Sequence, residues 1–459
     1  MIFSSITFIY YFLPLLLLVY FIFPNKYKNY ILLIFSLIFY FLSEPKYIII
    51  LLISCIINYL LSKQIEKNKH PKLYLIISLI YNIGNLLIFK YTDFFISNIN
   101  NIFNTSIPYL YLIMPIGISF YTFQILAYII DVYNKKHKSS KNIFEFMTYV
   151  SLFPQLVAGP IVRYSDIKNE LENRTHTFDK FSEGIKRFII GLSKKVLLAN
   201  VLGELSKSLV TETVISSWIK PIAYTLQIYF DFSGYSDMAI GLGLMFGFKF
   251  LENFNYPLIA SSITDFWRRW HISLSSWFKD YVYIPLGGNR VSKPKWIRNL
   301  FIVWFLTGFW HGASWNFIIW GLYFGIILVI EKLLIGKYLD KTKIFKYIYS
   351  LLIIVISFLI FNSLTLTDII TNLKNMFNLN NLELINQETI YYLKSYLTIL
   401  IISIISATPL LKNTISKINN TKYKILIDIL EPITYITLLI LSTAFLIDES
   451  FNPFLYFRF

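Results

Sequence analysis

The 459 residues are 56% hydrophobic and 19% aromatic but only 15% charged, with a mean hydropathy of +0.57. Soluble domains carry about 25% charged residues, so the shortfall excludes an ordinary soluble enzyme and points to lipid as the solvent. The net charge of +16 would signal nucleic acid in a soluble chain. Here the basic residues fall between apolar runs, the positive-inside pattern, and nucleic acid is excluded as a partner. The single cysteine, Cys55, excludes an intramolecular disulfide and a four-cysteine metal site. Within IIILLISCIINYLL it reads as an inert small residue.

In chain order, apolar runs that cross or nearly cross a bilayer lie near 6–23, 30–42, 47–61, 73–90, 109–131, 187–202 and 218–230. Others lie near 299–333 (two segments), 348–362, 391–411 and 424–447. Several fall short of the ~20 residues a straight crossing needs, which predicts tilted, protein-buried or re-entrant helices among membrane lipids. The first run has no basic segment before it and no small-residue cleavage site soon after it, so it is expected to persist as a helix. Lysines cluster at 26–28, 63–72, 135–141, 337–346 and 412–424, which marks cytoplasmic loops. Segments 91–108 and 363–390 carry few or no basic residues and much Asn and Thr. They are expected to be outward loops, so both termini face outward. With no repeat and no flexible linker, one membrane domain is expected. Its core is 110–335, its flanking helices 1–109 and 336–459, and its aromatic tail 450–459.

From about 142 to 298, glycines, prolines and charges interrupt the apolar runs, as in FPQLVAGPIVRYSDI, DFSGYSDMAIGLGLMFGFKF and ENFNYPLIASSITDFWRRWHISLSSWFKDYVYIPLGGNR. Broken backbone at membrane depth is tolerated only beside protein or a water-filled cavity. The region therefore predicts re-entrant and interfacial helices shaping a cavity. Segment 262–280 alternates Trp267, Trp270, Trp277 and Phe278 with Arg268, Arg269 and Lys279. It predicts an amphipathic helix at the cytoplasmic interface, with a simple surface anchor as the plain alternative.

The chemistry concentrates in NLFIVWFLTGFWHGASWNFIIWGLYFG. No Lys, Arg, Asp or Glu stands between Asn299 and Ile330, so no local charge accounts for His311. Basic residues on both flanks require the chain to enter and return. The 12 or so residues from Asn299 to Trp310 give roughly 18 Å of helix, short of a ~30 Å core. His311-Gly312-Ala313-Ser314 is thus expected at a hairpin turn deep in the membrane. A neutral imidazole there suits general-base removal of a hydroxyl proton during attack on an acyl carbon. A packing histidine bonded to a backbone carbonyl is the alternative. His271, in RRWHISLSSW, is the second candidate. Its basic neighbours Arg268, Arg269 and Lys279 would suit an anionic donor such as coenzyme A, or equally lipid phosphates.

Weaker candidates fall away on their chemistry. DFSGYSD lacks the nucleophile elbow of a serine hydrolase. Asp231, Asp237 and Asp265 are expected to pair with Arg or Lys, with orientation of a histidine as the alternative, and Gly287-Gly288 lacks a phosphate loop's spacing. His70, His137 and His176 sit in polar loops and are expected to be solvated. No His/Asp/Glu cluster has metal-ligand spacing.

The segments FYTFQILAYIIDVY, FPQLVAGPIVRYSDI, GLSKKVLLAN, YFDFSGYSDMAIGLG, ENFNYPLIASSITDFWRRWHISLSSWFKDYVYIPLGGNR and TGFWHGASWNFIIWG resemble the membrane-bound O-acyltransferases. More narrowly, they resemble the bacterial branch that O-acetylates polysaccharides, typified by AlgI and the peptidoglycan O-acetyltransferase PatA. The ends of the chain are similar to that branch too. The resemblance implies an all-α polytopic fold. Its features are a ring of about 11 transmembrane helices, re-entrant and interfacial segments, a thin core and a cytoplasmic funnel. It implies that His311 and His271 are the family histidines and that no cofactor is bound. It also implies an acetyl group moving from acetyl-CoA outward through the bacterial cytoplasmic membrane. A separate SGNH-type acetyltransferase would complete delivery to a polysaccharide. In the tail FNPFLYFRF, Tyr456 resembles the tyrosine proposed to carry the acyl group on a partner in teichoic acid D-alanylation. An aromatic-belt anchor is the alternative. The rivals are a teichoic acid D-alanyltransferase of the DltB kind, whose donor is a carrier protein, and a secondary transporter, which should show a repeated half.

Overall fold

The computed structural model describes residues 1–157, 159–448 and 455, whose regular elements are all helices, with no strand among them. Lipid forces this outcome, because a spanning segment must satisfy its own backbone groups. Two compact units form, Met1–Phe188 with Ser236–Leu251 and Ile189–Tyr235 with Glu252–Phe459.

The first unit starts with α1 (Leu13–Ile22), α2 (Lys28–Ser43), α3 (Ile48–Lys67), α4 (Pro71–Phe103) and α5 (Ile118–Tyr133). Then come α6 (Ile143–Ser151), α7 (Phe153–Leu156), α8 (Tyr164–Glu172) and most of α9 (Phe178–Ser193). Phe3, Phe8, Phe39 and Phe153 form its aromatic centre, with ring centroids 5.0–6.1 Å apart. Between α3 and α4 the adhesive is polar. Ser78 donates to Asn58 Oδ1 at 2.6 Å and Asn82 donates to the same oxygen at 2.8 Å. Such bonds hold membrane helices together where apolar burial gives no net gain over lipid. Cys55 is buried in this unit.

In the second unit lie α10 (Val201–Ser208) and most of α11 (Val214–Met245), then α12 (Ile263–Arg269), α13 (Ile272–Phe278), α14 (Lys293–His311) and α15 (Trp315–Ile330). These are followed by α16 (Gly336–Leu339), α17 (Phe345–Asn362), α18 (Leu366–Met376), α19 (Gln387–Ser395), α20 (Leu397–Ser406), α21 (Leu410–Asn419) and α22 (Lys424–Asp448). Five described helices are long and apolar enough to cross a membrane, at Ile48–Lys67, Pro71–Phe103, Trp315–Leu339, Phe345–Asn362 and Lys424–Asp448. The pair α19 and α20, bent by 56°, adds a sixth if it counts as one span.

Several expectations are corrected. Most of 91–108 is not a loop, because α4 runs on to Phe103. Its polar residues fold back on the helix, with Thr92 donating to Ile88 O and Asn98 to Phe94 O. The run at 109–131 becomes helical only at Ile118, after Pro115 and a left-handed Gly117 (φ 74°). In the expected outward loop at 363–390, α18 forms behind a capping box of Thr365 and Asp368. DFSGYSDMAIGLGLM is not broken either, since it lies inside the 32-residue α11. Its glycines serve close approach. A Cβ on Gly241 would lie 2.6 Å from Gly184 O in the first unit, and one on Gly234 would lie 2.7 Å from Gly191 O in the second.

Candidate active site

The second unit brings the two singled-out histidines into one aromatic enclosure. α14 and α15 form a tight hairpin, with Gly308 and Gly321 facing each other. His311 is the last residue of α14 and is 3% exposed. Its Nδ1 lies 2.7 Å from the Thr307 carbonyl oxygen, which only accepts. Nδ1 therefore carries the hydrogen, and in the neutral ring the basic lone pair belongs to Nε2. The expected turn is present: Gly312 is extended, and a Cβ there would run into the Phe317 ring. Rings enclose the imidazole, with centroids of Trp320 at 4.7 Å, Trp310 at 4.8 Å and Phe361 at 5.7 Å. The helix C-terminus beneath it favours a transient positive charge on the ring.

His271 is where the structure departs most from expectation. Segment 262–280 is not one amphipathic surface helix but two short ones, α12 and α13, broken at Trp270–His271. Trp267, Trp270, Trp277 and Phe278 are buried rather than spread at an interface. His271 takes a left-handed conformation (φ 43°) and is 0% exposed, so it does not share the surface on which Arg268 and Lys279 are exposed. The reason is Asn253, itself 0% exposed. Its Oδ1 accepts from Ser273 N at 3.1 Å and Ser273 Oγ at 2.9 Å, and lies 3.2 Å from His271 Nδ1. A backbone N–H can only donate, so that oxygen is the acceptor and His271 Nδ1 also carries its hydrogen. Phe232 packs edge-on at 4.6 Å, and Trp310 stands 6.1 Å from His271 on the side of His311. Burial first, and then the charge that His311 would carry, hold the His271 imidazole well below the usual histidine range.

Asn253 is a candidate site residue that the sequence did not announce, since nothing in ENFNYP marks an amide 18 positions from its partner. Asn253→Ala should lower turnover about ten- to a hundredfold, the usual loss when a partner orienting a reactive imidazole goes. Asn253→Asp, which keeps the acceptor, should recover part of it. Equal turnover in Asn253→Ala and the unaltered chain would refute the assignment.

Other residues fall where their charges predict. Asp237 pairs with Arg187 and Asp265 with Arg269, at 2.8 and 2.9 Å, and Asp231 pairs with Lys195. Arg268 and Lys279 are exposed. Arg269 and Asp265 line an open groove of about 520 Å³ with Ser261, Leu258, Ile259, Tyr347, Ile348 and Leu351. Tyr456 lies outside the described residues. Its neighbour Leu455 donates its N–H to Asp231 Oδ2 at 2.9 Å. His70 is exposed, but two loop histidines are less solvated than expected. His137 stacks against Tyr128. His176 Nε2 lies 2.9 Å from the Tyr20 hydroxyl, and burial, then the nearby Lys28 and Arg174 charges, push it down to about 4. Among the described residues no three His, Cys, Asp or Glu are grouped to hold a metal ion.

The model of the membrane-bound O-acyltransferase family matches residues 132–371, which include both histidines and Asn253. The chain belongs to that family. This O-acyltransferase is a multi-pass membrane protein. It is 37% identical, over the whole of both chains, to a probable alginate O-acetylase AlgI of Azotobacter vinelandii. To a peptidoglycan O-acetyltransferase of Helicobacter pylori it is 36% identical, over 84% of this chain and 81% of that one. A teichoic acid D-alanyltransferase of Bacillus subtilis is more distant, 30% identical over 47% of this chain and 58% of the other.

Proposed function

We propose that the enzyme moves an acetyl group from a cytoplasmic thioester, acetyl-CoA, through the bacterial cytoplasmic membrane for O-acetylation of a cell-wall or extracellular polysaccharide. The observation that carries the reading is the pair of buried imidazoles around Trp310, each with Nδ1 held by an acceptor. His311 Nε2 takes the proton of the attacking hydroxyl as its oxygen bonds to the acyl carbon. The carbon–sulfur bond breaks, and the departing thiolate takes a proton back from the imidazolium. Ester and thiol are the products, and His311 is neutral again. His271, held neutral beside it, keeps that transient charge on one ring. The names of the two more similar relatives support acetyl and polysaccharide over D-alanine and teichoic acid. A secondary transporter would carry a repeated half, and the sequence has no such repeat.

The finer arrangement belongs to the same proposal. About eleven helices and re-entrant segments ring a thin core, with both termini outward and a funnel on the cytoplasmic side. Arg268, Arg269 and Lys279 attract the anionic donor to that face. An extracytoplasmic SGNH-type acetyltransferase receives the group, and Tyr456 carries it between the two. With radiolabelled acetyl-CoA enclosed on one side of sealed vesicles, label should leave the donor only when the donor faces the cytoplasmic side. Turnover of a D-alanyl carrier protein in place of acetyl-CoA would overturn the acetyl reading. Tyr456→Phe should abolish label on the tail peptide and lower delivery to polysaccharide. Full acetylation by that variant would remove Tyr456 from the route.

A further inference from the structure

We infer that Glu331, which no sequence motif marks, is a positioning residue that sets the place of His271 through the N-terminus of α12. Glu331 follows α15 directly and is 4% exposed. A buried carboxylate costs several kcal/mol unless its charge is met. Among the described residues no lysine or arginine meets it. Helix α12 does: Ile263 N donates to Oε1 at 2.5 Å, and Thr264 N and Thr264 Oγ1 each donate to Oε2 at 3.0 Å. The next N–H, from Asp265, goes to Ser262 Oγ at 3.0 Å. The first three orphan donors of α12 are thus all consumed, two of them by Glu331, and the positive helix end faces its charge.

The geometry gives these bonds a use beyond stability. α12 is seven residues long and ends two residues before His271. Its middle is wedged against the hairpin by Trp267, whose ring lies 4.6 Å from Trp304, 4.9 Å from Phe324 and 5.8 Å from Trp320. Ring packing is non-directional, so it resists separation of α12 from the hairpin more than it sets the register along it. The charge-assisted bonds from Glu331 are directional and fix that register. His311 sits on the hairpin and His271 on the segment pinned to it, so Glu331 sets the spacing between the two imidazoles. A shift of about 1 Å between reacting groups is enough to cost a hundredfold in rate.

The inference rests on the reading of the two histidines as the reacting pair, and the test separates the two. Glu331→Gln offers an amide nitrogen where Thr264 N needs an acceptor. In the full-length enzyme, kcat for acetyl-CoA should fall about tenfold with KM for the donor unchanged within twofold, and Glu331→Asp should restore part of it. If Glu331→Gln accumulates poorly, Thr264→Val, which removes one bond on the exposed side, should lower kcat two- to threefold. Against a His271→Gln background, whose residual turnover is slow, Glu331→Gln should cost nothing further. An equal tenfold loss in that background, or a raised KM with unchanged kcat, overturns the role of Glu331 alone. A wild-type rate in His271→Gln overturns the histidine reading and this inference with it.

Discussion

Replacing His311 by asparagine is expected to lower acyl transfer by about 10²–10⁴-fold, the usual contribution of a general base. The folded protein should survive. Asparagine is the informative choice because its amide nitrogen falls near the position of imidazole Nδ1, so donation to the Thr307 carbonyl at 2.7 Å is preserved. What disappears is the Cε1–Nε2 edge of the ring, and with it the basic lone pair. His311→Ala also empties space between Trp310, Trp320 and Phe361. Opening such a cavity typically costs about 2–5 kcal/mol, so a lost signal there confuses chemistry with packing. Thermal melting in detergent and turnover of radiolabelled acetyl-CoA, measured on both variants, separate the two. His311→Asn turning over at the unaltered rate would return His311 to the role of a packing histidine.

How far these features were legible depends on how local their causes are. The hairpin at His311 was readable because each of its determinants lies in one stretch: an uncharged run, Gly312 at its break, and basic flanks that force a return. The long motifs around both histidines made the family readable for the same reason. His271 defeated the reading because its partners are remote in sequence. Local charges pointed to the cytoplasmic surface, while Asn253, Phe232 and Trp310 hold the ring inside. The turn that puts it there is a left-handed histidine, which composition does not announce. Glu331 was hidden by its neighbour Lys332, since a charge pair at the end of an apolar run reads as a solvated flank. Residues 91–103 misled in the opposite direction. Asn and Thr imitate a loop there, yet their side chains bond back to carbonyls of α4 and leave the helix intact.

Gly321→Ala should lower the melting temperature by several degrees and reduce the amount of monodisperse protein, whereas Gly325→Ala, one turn further along α15, should do neither. Helix propensity alone predicts that both exchanges stabilise, by about 1 kcal/mol. The hairpin decides otherwise at one of them. A Cβ on Gly321 would collide with the Trp304 carbonyl oxygen and lie 3.1 Å from Gly308 Cα, and backbone atoms cannot turn aside as a side chain does. At Gly325 the same atom meets Trp304 Cβ at 3.4 Å and the Phe301 ring at 3.5 Å, ordinary packing distances. Prying the helices apart costs typically 1–3 kcal/mol, more than the propensity gain. In lipid, close approach is itself the main attraction between helices. Because His311 stands one turn past Gly308, the loss should reach the site, with turnover per folded molecule also reduced in Gly321→Ala. Melting of Gly321→Ala at or above that of the unaltered chain would show that the hairpin opens freely and that its glycines do not fix the place of His311.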